Sequence, residues 1–195
     1  MNLTLPNILT LMRVAVIPLF VGLFFLESAT GQWLAFGIFV LAAITDFLDG
    51  YLARTMGQLS AFGRFLDPIA DKLLVAAALL MMVGFGQISG IAIIPALIIL
   101  CREILVSGLR EYLAGVAVGL PVSRLAKWKT TVQMIAIPLL IVGDAAHPAI
   151  PAEIPIRLIG EGALWLAALI TLITGYDYMR SGLRHMDTPT GASGK

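Results

Sequence analysis

Apolar runs recur along this chain, and several are long enough to cross a hydrocarbon core of about 30 Å. Few charges interrupt them, so each is read as a transmembrane helix. Only 13% of residues are charged and 59% are hydrophobic. A soluble domain carries charge on about a quarter of its residues, and a disordered chain cannot hold this much apolar surface in water. The expected fold class is therefore all-α, a polytopic membrane protein with six transmembrane helices. The spans fall at residues 8–26, 33–53, 71–85, 91–108, 131–142 with flanking residues, and 162–178.

Turn and breaker residues separate these spans: Glu27-Ser28 with Gly31, the stretches 57–63 and 84–90, and the Pro-rich stretch 147–155. The fifth span is the least regular, because Pro138 interrupts it and its start is polar. Residues 1–186 read as one membrane domain, and 187–195 as a small polar tail expected to be disordered. The first apolar stretch lacks a cleavage pattern and reads as a retained helix.

Charge gives the expected orientation. Of 13 Lys and Arg residues, all but Arg157 fall in or near loops on one side. The positive-inside rule then puts both termini and the basic loops in the cytoplasm. A net charge of +1 gives no case for nucleic acid as a partner. The single cysteine, Cys101, has no intramolecular disulfide partner and reads as a small buried hydrophobe. His147 and His185 are too isolated for a zinc site, and Trp33, Trp165, Tyr176 and Tyr178 read as interface or packing residues.

Four aspartates contradict the apolar pattern: Asp46 and Asp49 at the end of span two, Asp67 and Asp71 at the start of span three. Ionisable groups at membrane depth are costly, which makes a functional site the first hypothesis. Spacings of three and four put each pair on one helical face. A short loop joins the spans, so they are expected to be antiparallel neighbours with converging acidic faces. Four converging carboxylates need cations, and Mg²⁺ or Mn²⁺ takes oxygen ligands of this kind. Two such ions are a recurrent device for moving phosphate groups. Gly50 and Ala53 clear the helix surface, Arg54 offers a fork for phosphate oxygens, and Gly63 permits a tight loop. Plainer readings exist for each: Asp67-Pro68 as a helix start, Asp46 and Asp49 as interfacial groups, Gly50 and Ala53 as packing residues.

Residues 46–71 read D-F-L-D-G-Y-L-A-R, eight further residues, then G-R-F-L-D-P-I-A-D. This resembles the signature of the CDP-alcohol phosphatidyltransferase family, D-x-x-D-G-x-x-A-R-x8-G-x-x-x-D-x-x-x-D, at every specified position. The resemblance implies a six-helix, usually homodimeric membrane fold. It also implies direct transfer from a CDP-alcohol, here CDP-diacylglycerol, at the cytoplasmic face, with CMP leaving. By the same resemblance Asp46, Asp49, Asp67 and Asp71 surround two divalent ions, and Asp71 is the base for the incoming hydroxyl. Gly50, Ala53, Arg54, Ser60 and Gly63 would lie against the cytidine diphosphate, with Asn7, Thr10 and Arg13 near it.

Two further stretches bear on the acceptor: C-R-E-I-L-V-S-G-L-R-E-Y at 101–112 and S-R-L-A-K-W-K-T-T-V-Q-M at 123–134. Arg102, Glu103, Arg110 and Glu111 are too many charges for a plain lipid-facing helix end. Arg102 and Glu103 are adjacent, which does not assure an ion pair between them. Arg102, Arg110, Arg124, Lys127 and Lys129 make a candidate pocket for an anionic acceptor, although basic residues at an interface also attract anionic lipids and set topology. These stretches and residues 5–14 resemble the bacterial phosphatidylglycerophosphate synthase branch of the family, which implies sn-glycerol 3-phosphate as acceptor. Inositol phosphate, serine or phosphatidylglycerol stay open as alternatives. A reading of another class is a divalent-cation transporter, which would want acids spread along a path rather than collected at one end.

Overall fold

A computed structural model describes residues 5–55, 61–115, 124–146, 151 and 154–186. The described residues form six α-helices: α1 (Leu5–Phe24), α2 (Ala29–Thr55), α3 (Ala61–Gly84), α4 (Ile93–Gly115), α5 (Arg124–Val142) and α6 (Ile156–Met186). There is no strand among the described residues. All but α3 contain a segment long and apolar enough to cross a membrane. The exception carries Asp67, Asp71 and Lys72 before its apolar run. At 1.5 Å per residue, the 27 residues of α2 and 31 of α6 reach about 40 and 46 Å, longer than the hydrocarbon core.

Local chemistry sets the helix ends. Ser28 Oγ accepts the Gly31 N–H at 3.1 Å, capping α2 after a four-residue turn. A side chain at Gly31 would come within 2.7 Å of the Leu23 carbonyl, so the turn closes only on glycine. Between α3 and α4 the backbone enters the left-handed region at Gly86 and Gly90, with φ of 74° and 57°.

Three expectations change. Residue 68 is not at a helix start: α3 begins seven residues earlier and runs through Pro68. Likewise α5 runs unbroken through Pro138, because close packing on its neighbours supports the helix across the lost hydrogen bond. Cys101 is exposed rather than buried, on the lipid-facing side of α4 with Leu97, Ile104 and Leu105. In a bilayer an apolar environment does not require burial. The tail 187–195 lies outside the described residues.

The helices assemble around one apolar cluster. Phe20, Phe39, Leu79, Met82, Ile99, Ile137 and Leu164 are almost fully enclosed. Phe20 and Phe24 meet edge to face at 5.3 Å. Ala78, Ala136 and Ala167 are also fully enclosed, and such small residues let helices approach where lipid tails remove the hydrophobic drive to associate. Helix α6 packs along α5 and α4, while α1 lies against both α2 and α3. Among the described residues both α2 and α3 pack extensively on α1.

Candidate active site

The first turns of α1, α3 and α5 and the last turns of α2, α4 and α6 share one end of the bundle. Buried polar residues on α1 mark it. Asn7, Thr10 and Arg13, three residues apart, form a stripe that is almost wholly enclosed. Arg13 Nη1 donates to Asp46 Oδ1 of α2 at 2.5 Å. Asp71 of α3 lines the neighbouring cleft with Lys72 and Glu103. Two of the four motif aspartates, on separate helices, therefore stand at this end of the bundle.

Beside Asp71 opens a cleft of about 340 Å³ between α3, α4, α5 and α6. Asp71 and Lys72 line one wall; Arg102, Glu103, Arg110, Lys129 and Tyr178 line the others. Lys129 is buried and donates to Glu103 Oε1, which also lies 3.6 Å from Arg102 Nη1. The Arg102 guanidinium sits over the Tyr178 ring at 5.6 Å, and its Nη2 is 3.5 Å from Thr174 Oγ1. Room for the Arg102 stem comes from Gly175 on α6, where a Cβ would lie 3.2 Å from Arg102 Cγ. Lys72 Nζ donates to the Pro68 carbonyl at 2.8 Å, one turn back on its own helix.

A second, mostly apolar groove of about 500 Å³ runs between α2 and α5, from Asp46 down to Phe39 and Pro138. Thr130 lines both this groove and the charged cleft. A larger cavity of about 570 Å³ lies at the opposite end of the bundle, but none of its lining residues is cationic and Glu27 is its one acid. Chemistry rather than size therefore selects the smaller cleft.

The expected acceptor residues divide. Arg102, Arg110 and Lys129 line the cleft with Asp71, whereas Arg124 and Lys127 are exposed outside it. Ser60 lies outside the described residues, and the side chains of Asp49, Gly50, Ala53, Arg54, Gly63 and Asp67 lie outside the description although their backbone is helical. Among the described residues no three metal-ligating side chains come together. Asp46 and Asp71 are nevertheless hard oxygen donors carried at this end by two helices, a donor chemistry that fits Mg²⁺ or Mn²⁺. Glu103, Lys72 and Tyr178 were not singled out as site residues by spacing or resemblance. An acid next to Arg102 in an apolar helix was the available signal for Glu103; Tyr178 gave none.

Fold and site together define an integral membrane protein with a charged cleft at one end of its helical bundle and an apolar groove leading to it. The chain belongs to the CDP-alcohol phosphatidyltransferase family, whose model matches residues 3–173. It is 48% identical to the CDP-diacylglycerol--glycerol-3-phosphate 3-phosphatidyltransferase of Rickettsia bellii, over 91% of this chain and 94% of that protein. It is 40% identical to the protein of that name from Cereibacter sphaeroides, over 95% and 98%. A chloroplastic/mitochondrial protein of Arabidopsis thaliana with the same enzyme name, numbered 1, is 40% identical over 91% of this chain and 62% of its own length.

Proposed function

We propose that this enzyme transfers the phosphatidyl group of CDP-diacylglycerol to sn-glycerol 3-phosphate, giving phosphatidylglycerol phosphate and CMP. The observation that carries this reading is one cleft holding Asp71 together with Arg102, Arg110 and Lys129. A carboxylate able to take a proton thus stands beside cations able to hold a phosphate. The names of the relatives agree with it.

In this reading the apolar α2–α5 groove takes acyl chains of the donor and delivers its headgroup to Asp46. Arg13 keeps Asp46 oriented, while Gly50, Ala53, Arg54, Ser60 and Gly63, with Asn7 and Thr10, surround the cytidine diphosphate. Arg102, Arg110 and Lys129 hold the acceptor's phosphate and turn its free primary hydroxyl towards Asp71. Asp71 accepts the hydroxyl proton as that oxygen bonds to the phosphatidyl phosphorus. The pyrophosphate P–O bond breaks, and CMP departs with its electron pair. Asp46, Asp49, Asp67 and Asp71 would hold two Mg²⁺ or Mn²⁺ ions, which when bound neutralise the pyrophosphate and the leaving CMP. We place this end at the cytoplasmic face on the charge asymmetry of the loops, and the protein in the inner membrane by its resemblance to bacterial relatives. We take the protein to be a homodimer by family resemblance, and residues 1–186 to be its membrane domain, with 187–195 a small polar tail.

Four cations along one cleft favour a phosphorylated acceptor over serine, though inositol phosphate would suit them too. Carboxylates gathered at one end give a transport path no continuation. The test is CMP release by detergent-purified protein with CDP-diacylglycerol and Mg²⁺, each acceptor supplied alone beside a chelator control. Release with glycerol 3-phosphate only, abolished by chelation, is expected. Release with another acceptor instead would discard the substrate assignment and keep the chemistry.

A further inference from the structure

One carboxylate in the cleft stands where an anion from outside would sit. Glu103 Oε1 is the hydrogen-bond acceptor for Lys129 Nζ and also faces Arg102 Nη1 at 3.6 Å. A single oxygen thus serves two cations, both removed from bulk water: Lys129 is only 3% exposed, and the Arg102 side chain 14%. The guanidinium is poorly satisfied. Its polar contacts are at 3.5 and 3.6 Å, and its Nε is buried without a hydrogen-bond partner. Enclosed cations need charge-assisted acceptors, and one carboxylate oxygen falls short of what a lysine and an arginine offer as donors.

A phosphate monoester carries up to two charges and three peripheral oxygens, enough to engage Lys129 and both edges of Arg102 at once. Glu103 occupies part of that position when no acceptor is bound. We propose that Glu103 is a stand-in anion: its carboxylate keeps Arg102 and Lys129 paired in the empty cleft, and the phosphate of the acceptor takes both cations over from it. Acceptor affinity is then set by competition between an internal and an external anion. Neutral and singly charged alcohols are disfavoured, because they cannot repay the displacement of Glu103. The inference rests on the reading above that this cleft takes a phosphorylated acceptor.

The decisive variant is Glu103→Gln, which keeps shape and hydrogen bonding but removes the charge. Inorganic phosphate and sn-glycerol 3-phosphate are titrated onto the detergent-purified wild type and variant without donor, and the KM of each substrate is then measured. Both anions should bind the variant more tightly by about tenfold, the scale of one charge-assisted contact. The acceptor KM should fall while the donor KM holds. Unchanged or weaker anion binding to a variant with wild-type donor KM would overturn the proposal and leave Glu103 as a brace for Lys129. Should Glu103→Gln fail to fold, Glu103→Asp withdraws the carboxylate by one methylene, and it too should tighten phosphate binding; weaker binding overturns the idea. A wild type that binds neither anion would instead sink the acceptor reading, and the stand-in role with it.

Discussion

Three neighbours of different chemistry place the guanidinium of Arg102: the Tyr178 ring beneath it, the Glu103 carboxylate beside it, and Gly175 leaving room for its stem. A lysine cannot reproduce this arrangement, because a point charge neither stacks on a ring nor presents a planar fork. Arg102→Lys should therefore raise the acceptor KM by about tenfold and leave the donor KM unchanged. Equal effects on both substrates would mean that Arg102 holds the fold rather than the acceptor. Asp71 calls for a different experiment. As the proposed base it can be neutralised with little change in volume, so Asp71→Asn should lower kcat by about 10²–10⁴. Binding of CDP-diacylglycerol, measured separately, should persist. Turnover within a fewfold of wild type would remove Asp71 from the chemistry.

Among the elements, α6 shows how a membrane bundle holds together with few polar contacts between its helices. A Cβ at Gly160 would lie 2.9 Å from Leu140 Cγ and 3.3 Å from Leu139 Cβ on α5. Leu140 is itself 1% exposed and has little room to yield. Gly160→Ala should then destabilise the bundle by about 1–3 kcal/mol through overpacking, seen as a lower unfolding midpoint in detergent. Gly160 sits near the start of α6, far from the charged cleft, so both substrate KM values should hold in the folded fraction. A midpoint equal to wild type would show that α5 can slide away. Helix α3 makes a different compromise, since it carries Asp71 and Lys72 within a continuous helix. The acid is fixed by a regular backbone rather than a loop, which suits a group that must be held at a set position.

At the scale of the whole molecule, positive charge is segregated along the bundle. Lys72, Arg102, Arg110 and Lys129 gather at the cleft, while Arg157 pairs with Glu161 and Ser89 at the far end. This segregation predicts a sided enzyme. In sealed vesicles carrying the protein in one orientation, glycerol 3-phosphate should support CMP release only when supplied on the side bearing the basic loops. Release from the opposite side would separate the charge pattern from the position of the chemistry.

Membrane class, helix number and the family signature were legible in the sequence because each depends on local order. A span is a run of apolar residues, and the signature is a fixed spacing along two helices. The signature could not reveal that α1 is the helix against which α2 and α3 pack, bringing Arg13 to Asp46. Nor did spacing separate Lys129, buried in the cleft, from Lys127, exposed two residues earlier. A position two residues on along a helix lies about 200° around its axis. Its surroundings then depend on where neighbouring helices lie. Tyr178 and Glu103 belong to the same lesson: they meet Arg102 and Lys129 only because α4, α5 and α6 pack together. Local pattern was enough to name the kind of protein. Which charges share a cleft was decided by helix packing, since electrostatics acts through distance in space rather than separation along the chain.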